Sequence, residues 1–217
     1  MSDKINLDLL VEALNETLYM TFLTLVFVLI LGFVIGYILY MTENGKGVWF
    51  LTHQALVFIT NIARSMPFLI LMILIMPMTK RLIGTILGPT AAIPALVISA
   101  TPFYARLVYQ SLREIPKSIN EMLESLGKTK VEMSLVLIKE TLPGLISGLV
   151  MTAVTLIGFT SISGVIGAGG LGHLAYQEGF IKNNQPMILM ATLLVLLIVF
   201  IIQGIGDLVV KKIDKRI

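Results

Sequence analysis

The run LYMTFLTLVFVLILGFVIGYILY, residues 18–40, decides the fold class of this chain. It contains no charged side chain, and it exceeds the length of about 20 apolar residues with which a helix crosses the hydrocarbon core of a bilayer. Because lipid offers no hydrogen-bond partners to the backbone, such a run predicts a transmembrane helix. The run is also longer than the apolar core of a signal peptide, and no A-x-A cleavage pattern follows it. We therefore expect a retained helix.

The remainder of the sequence has the same apolar character. Of its 217 residues 56% are apolar and 13% are charged, whereas about a quarter of the residues of a soluble domain are charged. The sequence predicts an all-α, polytopic membrane protein that forms one transmembrane domain over residues 1–217. The five predicted spans lie at about residues 18–40, 55–78, 91–108, 145–166 and 187–208.

Charge and composition exclude several classes of protein. The net charge of +3 is too small and too scattered for a surface that binds nucleic acid. The chain has no cysteine, which excludes disulfides, thiolate catalysis and cysteine-bound metals. Its two histidines, His53 and His173, are too far apart in the sequence to suggest a metal pair.

The distribution of lysine and arginine predicts the orientation. Basic residues are concentrated in the loop after the first run, in residues 106–140 and in the C-terminal tail, and they are fewer in the other loops. Loops rich in these residues stay on the cytoplasmic side. We therefore expect a multi-pass protein of the cell membrane, with the N-terminus outside and the C-terminus in the cytoplasm.

Two glycine motifs resemble nucleotide-binding loops but lack the context of one. Residues 167–172, GAGGLG, match the dinucleotide pattern, yet no strand precedes them and no acidic residue follows about 20 positions later. We interpret them as a flexible or tightly packed glycine segment at the external end of the fourth span. Residues 127–129 resemble the end of a phosphate-binding loop, but Met122 occupies the position of its first glycine. We expect no ATP or other cofactor to be bound by this chain.

Residues 115–127, IPKSINEMLESLG, are the most informative stretch outside the spans. Four apolar residues recur there at the i, i+3, i+4 and i+7 spacing of one helix face, and they are Ile119, Met122, Leu123 and Leu126. Ser118 and Glu121 have the spacing of a capping box at the start of this helix. Gly127 suits the left-handed conformation just past its end.

A second helix is predicted directly after this glycine, because Thr129 and Glu132 repeat the capping-box spacing. We therefore expect helix, glycine turn and helix within a cytoplasmic loop at about 113–140. The first of these helices, about 13 Å long, is too short to cross a membrane. Its apolar face needs a partner, which is its own second helix, lipid headgroups or another protein, and the pattern leaves these alternatives open.

Glu121 followed six positions later by Gly127 resembles the E-A-A-x3-G signature of binding-protein-dependent ABC importer permeases, with Met122 and Leu123 in place of the two alanines. The Leu-Pro that ends the family signature is also displaced, to positions 142–143, which leaves the register of the second helix open. Three further segments look like the methionine-importer permeases of that family. They are residues 64–68, 100–106, and 167–172 with 175–177.

The resemblance implies a type I ABC importer permease that catalyses no reaction itself. It also implies that the transported substrate is an amino acid, and the three segments indicate methionine. The implied partners are a second copy of the chain, two ATPase subunits that bind ATP and Mg, and an external substrate-binding protein. In such permeases the cytoplasmic loop carries the coupling helix that contacts the ATPase. The residues implied for coupling here are Ser118, Ile119, Glu121, Met122, Leu123, Leu126 and Gly127.

Polar, proline and glycine residues in the spans are candidates for a transport path or gate. They are Arg64, Ser65, Pro67, Thr101, Pro102, Thr160, Ser161, Ser163, Gly167, Gly169 and Gly170. Arg64 has three interpretations: it faces an aqueous path, caps carbonyls freed by Pro67, or snorkels to the interface. No acidic residue lies in the middle of a span, which argues against a proton-coupled or sodium-coupled carrier. A secondary carrier or channel subunit for a small polar solute remains the alternative, followed by a scaffold without transport.

Overall fold

The computed structural model describes residues 6–214, and every regular element within them is helical, which confirms the all-α class. The termini of the predicted domain, residues 1–5 and 215–217, lie outside this range. A π-helical segment, Ala175–Ile181, separates the last two helices. The helices are α1 Leu7–Thr42, α2 Val48–Ser65, α3 Phe68–Ile83, α4 Pro89–Arg113, α5 Lys117–Ser125, α6 Lys130–Val165, α7 Gly170–Leu174 and α8 Gln185–Ile213.

Four of these helices, α1, α4, α6 and α8, are long and apolar enough to cross a membrane, and α2 with α3 adds a fifth span if the pair is counted as one. The ends of the pair support that count. The Nδ1 atom of His53 in α2 lies 3.2 Å from the hydroxyl of Thr42 at the end of α1. After α3, the N–H of Gly88 donates to the carbonyl of Gly167 beyond the end of α6, at 2.9 Å. The pair thus leads from one end of the bundle to the other.

The second predicted span, at 55–78, is therefore divided into two helices whose axes differ by 107°. The break lies at Met66 and Pro67, which both adopt extended backbone conformations, with ψ of 127° and 131°. A proline has no N–H to donate and disfavours the helical conformation of the residue before it. Pro77, in contrast, lies inside α3 without ending it.

The centre of the bundle is the contact between α1 and α4, where small residues allow the two helices to approach closely. A Cβ atom added to Gly36 would lie 2.5 Å from the carbonyl oxygen of Ala105 and 2.7 Å from the Cβ of Val108. One added to Gly32 would lie 2.8 Å from the ring of Tyr104. This small-xxx-small spacing is typical of helix packing in membranes, where van der Waals contact replaces the hydrophobic effect.

Helix α6 differs from the predicted loop and span. The second helix of the predicted loop, from Thr129, and the span predicted at 145–166 form one continuous helix from Lys130 to Val165. Pro143 lies inside it, because a neighbouring helix can compensate for the single backbone hydrogen bond that a proline removes. The adjacent Gly144 faces Ser111 of α4, whose hydroxyl a Cβ atom would approach to 2.8 Å.

The outer surface of the bundle is apolar. Large side chains on the flanks of α1 and α8 are about 70% exposed, among them Phe22, Phe200 and Leu208. A soluble monomer rarely exposes a continuous apolar surface of this extent, so this surface suits a hydrocarbon environment.

Candidate functional sites

Helix α5, Lys117–Ser125, is the short amphipathic helix that the sequence predicts, but its start is different. The helix begins two residues earlier than the predicted capping box implies, with Pro116 rather than Ser118 at the N-cap, and no side chain caps it. The predicted capping box of Ser118 and Glu121 is therefore wrong. Pro116, with φ of −57° and ψ of 136°, already has the backbone of a cap residue, so Ser118 falls inside the first turn.

The end of α5 confirms the glycine turn. Gly127 has a φ of +69°. Its N–H donates to the carbonyl of Glu124 at 2.9 Å, and the N–H of Lys128 donates to that of Leu123 at 3.1 Å. These two hydrogen bonds form a Schellman motif, which satisfies the last carbonyls of the helix. The α5 helix thus has a defined end.

The second capping box is also confirmed at the start of α6. The hydroxyl of Thr129 accepts from the N–H of Glu132 at 3.3 Å, and the carboxylate of Glu132 accepts from the N–H of Thr129 at 2.9 Å. Lys128 adds an ion pair to the same carboxylate at 3.1 Å. The turn between α5 and α6 is therefore held by hydrogen bonds on both sides of Gly127.

The four predicted apolar residues of α5 divide into two pairs. Leu123 is 5% exposed and Ile119 is half-buried, so these two pack on the chain's own bundle. Met122 and Leu126 are 53% and 66% exposed. One half of the apolar face of α5 is thus buried, and the other half is exposed.

Polar contacts connect this region to the ends of α1 and α4. The Nδ2 of Asn120 in α5 donates to the hydroxyl of Tyr40 at 3.5 Å, and the hydroxyl of Tyr37 donates to that of Ser134 in α6 at 2.6 Å. The carboxylate of Glu43 pairs with Arg113 at 3.0 Å. Asn120 thus links α5 to the end of α1, and the other two contacts link that end of α1 to α6 and α4.

The polar and proline candidates for the path fall into three environments. Arg64, Ser65 and Pro67 lie at the bend between α2 and α3 and are exposed. Thr101 and Pro102 are buried in α4. On α6, Ser161 is half-buried and the hydroxyls of the polar residues donate to carbonyls of their own helix. These residues are Thr160, Ser161 and Ser163.

The bend and the polar end of α6 are nevertheless close together. The ring of Phe68, directly after the bend, stacks on that of Phe159 with a centroid distance of 4.7 Å. Phe159 immediately precedes Thr160. The structure thus brings the bend in α2–α3 beside the part of α6 that leads to the glycine segment.

The glycine segment is tightly packed against α1. Gly169 and Gly170 have φ values of +84° and +80°. The N–H of Gly170 donates to a carboxylate oxygen of Glu16 at 2.6 Å, and the N–H of Leu171 donates to the hydroxyl of Thr17 at 2.8 Å. The sequence did not predict these two hydrogen bonds, because Glu16 and Thr17 are each 154 residues away in the chain from their partners.

A cleft of about 330 Å³ opens beside this contact. Its lining includes Glu12, Glu16, Gly167 and His173, and Nδ1 of His173 lies 2.9 Å from the carbonyl of Gly164. A larger groove of about 560 Å³ between α6 and α8 was not predicted either. It is lined in part by Ser147, Thr155, Gln203 and Asp207.

The described residues offer no metal centre: across 6–214, no three histidine or acidic side chains are grouped so that they could hold an ion.

Comparisons with known proteins agree with this architecture. The family described as binding-protein-dependent transport system inner membrane component matches residues 32–215. The methionine import system permease protein MetP of Bacillus subtilis (strain 168) is 50% identical over 216 residues, which cover 97% of each chain. The probable D-methionine transport system permease protein MetI of Pasteurella multocida (strain Pm70) is 40% identical, over 93% of this chain and 94% of that protein.

Solved structures show the same fold. A chain of the inward-facing MetNI methionine ABC transporter superposes with a TM-score of 0.92 at 36% identity, over 96% of this chain and 98% of that one. An amino acid ABC transporter solved with histidines superposes with a TM-score of 0.79 at 18% identity, over 94% of each chain. This second match shows a common fold only. The fold is that of a type I ABC importer permease, and the chain belongs to the family of binding-protein-dependent transport system inner membrane components.

Proposed function

We propose that this chain is the membrane permease of an ATP-driven importer of methionine. The observation that carries the proposal is its identity of 50% with a methionine import permease over nearly the whole of both chains. The likeness of fold to a methionine ABC transporter supports the same conclusion. Within such an importer this chain supplies the path through the membrane and catalyses no reaction.

Helix α5 is proposed to couple this path to ATP hydrolysis. Met122 and Leu126 present an exposed apolar surface beside the ordered glycine turn, while Leu123 and Ile119 hold the helix to the bundle. Ser118 and Glu121 lie on its exposed side and complete the surface. A separate ATPase subunit, which binds ATP and Mg, would contact this surface and move α5 as a rigid lever.

The remainder of the assembly follows from the same proposal. Five spans are few to enclose a solute path, so a second copy of this chain would complete it. Each copy would sit on one ATPase subunit, and a substrate-binding protein would deliver methionine at the opposite, external face. The N-terminus would then be external and the C-terminus cytoplasmic, in agreement with the distribution of basic residues.

Transport would proceed by alternating access. Closure of the two ATPase subunits would displace α5, and the contacts of Asn120 with Tyr40 and of Ser134 with Tyr37 would pass the motion to α1 and α6. At the other end, the glycine segment fastened to Glu16 and Thr17 lies where an external gate would act. The bend in α2–α3 lies between the two ends.

A cellular uptake assay tests the proposal. In a methionine auxotroph that lacks its own importers, the chain expressed with its partner ATPase and binding protein should restore uptake of radiolabelled methionine. Expression of the chain alone should not restore it. Depletion of ATP should stop uptake, and collapse of the proton gradient at constant ATP should not. Uptake by the chain alone that follows the gradient would instead identify a secondary carrier.

A further inference from the structure

Helix α2 carries an exposed polar stripe within an apolar segment. Gln54, Asn61, Arg64 and Ser65 are all exposed, and their spacing places them within about 100° of one another around the helix axis. The opposite side of α2 is apolar and also exposed, as at Ile59, which is 60% exposed. Two apolar residues, the half-exposed Phe50 and the half-buried Val57, also lie in the polar sector. The continuous polar part of the stripe is therefore its end at Asn61, Arg64 and Ser65.

The stripe ends in the middle of the apolar run at 55–78. Arg64 lies about 24 Å along α2 from Val48, where this helix begins beside the end of α1. Directly after the bend, Phe68 stacks on Phe159, which precedes the end of α6 by about 9 Å of helix. The bend thus lies about two turns of α6 away from the glycine segment, within the apolar run at 55–78.

Arg64 has no counter-charge there. Among the residues that the structure describes, its guanidinium forms no ion pair, and the serine beside it donates to its own helix, from the Ser65 hydroxyl to the Asn61 carbonyl at 2.8 Å. An unpaired guanidinium on a lipid-facing surface is costly, and charged side chains in spans face an aqueous cavity or a partner. The two exposed polar residues beside it, Asn61 and Ser65, favour an aqueous surface there.

We infer that Arg64 binds the carboxylate of the transported amino acid at the bend between α2 and α3. The inference rests on the proposed function, which makes the cargo an amino acid. A guanidinium recognises a carboxylate through paired hydrogen bonds, and the bend places it where the path passes α6. Asn61, about one turn before Ser65, continues the polar surface along α2.

Cysteine labelling tests the aqueous stripe without reference to any substrate, because the native chain contains no cysteine. Single variants Asn61→Cys and Ser65→Cys are expressed with the partner ATPase and treated with anionic and cationic methanethiosulfonates in native membranes. Ile59→Cys is the matched control on the apolar face. The stripe cysteines should react about tenfold faster than Ile59→Cys, since these reagents need water and a thiolate.

The charge preference of the reagents tests the role of Arg64. After correction for their rates with a free thiol, the anionic reagent should react faster than the cationic one at Ser65→Cys. Adding Arg64→Gln should reduce that preference by about tenfold, because the local cationic field is removed. Equal labelling of the stripe and of Ile59→Cys, or a preference that Arg64→Gln leaves unchanged, would overturn the inference.

Uptake then tests carboxylate binding itself. Arg64→Gln should lower methionine uptake by the complete transporter about tenfold or more, with ATP hydrolysis and protein amount retained, and Arg64→Lys should restore part of it. Arg81→Gln, a control at an exposed arginine near the end of α3, should leave uptake unchanged. Normal uptake with Arg64→Gln would refute carboxylate binding. Absence of methionine uptake by the unmodified transporter would refute the proposed function, and with it the cargo carboxylate that the inference assigns to Arg64, whatever the labelling shows of the aqueous stripe.

Discussion

At the residue scale, the close approach of α1 and α4 depends on Gly36. The substitution Gly36→Ala should destabilise the protein by about 1–3 kcal/mol, because the added methyl group meets the Ala105 carbonyl and Val108 at less than contact distance. Thermal unfolding of the purified protein in detergent would show this as a lower Tm. Gly158→Ala is the matched control, since a Cβ atom there meets nothing within 4 Å, and its Tm should be unchanged or higher. An equal Tm for the two variants would contradict this account of the core.

Residue-scale predictions from the sequence succeeded where the chemistry is local. Thr129 and Glu132 form their capping box, and Gly127 takes a positive φ, because each needs only its nearest neighbours. The box of Ser118 and Glu121 failed because the helix already begins after Pro116, which places Ser118 inside its first turn. The bond from Gly170 to Glu16 could not be predicted, since it requires the fold to bring distant residues together.

At the element scale, substitutions at the exposed and the buried apolar positions of α5 are expected to have different effects, the first on coupling to ATP hydrolysis and the second on stability. Leu126→Asp should lower methionine uptake per ATP hydrolysed while leaving the amount and Tm of the protein nearly unchanged, because exposed positions contribute within about 0.5 kcal/mol. Leu123→Ala should instead destabilise the protein by about 2–5 kcal/mol, because its side chain is buried. Transport and ATPase assays in proteoliposomes, together with thermal unfolding, distinguish the two. Unchanged coupling in Leu126→Asp would remove the evidence for a docking surface.

The sequence predicted the periodicity of α5 but not which half of its apolar face is free. That division depends on how α5 sits against Tyr40 and the bundle. Similarly, hydropathy identified the apolar run at 55–78 without the bend of 107° within it. Pro67 and Pro143 have the same local chemistry, yet only Pro67 ends a helix, because packing of the neighbouring helices decides whether a proline is accommodated.

At the scale of the whole molecule, the orientation in the membrane is a separate prediction. Single cysteines replacing Lys130 and Lys182 lie at opposite ends of the bundle, at the start of α6 and after the π-helical segment. In intact cells an impermeant thiol reagent should label the cysteine at position 182 and not that at 130. Inside-out vesicles provide the control and should reverse the pattern. Labelling of position 130 from outside would invert the proposed topology.

Net transport by purified components tests most directly whether transport through this chain is driven by ATP hydrolysis on a separate subunit. Proteoliposomes would contain either the chain alone or the chain with its ATPase, with methionine and the binding protein on the external side and ATP in the lumen. The account predicts concentrative methionine uptake only in the complete system with ATP, and none by the chain alone under a proton or sodium gradient. Sustained methionine uptake by the chain alone would contradict it.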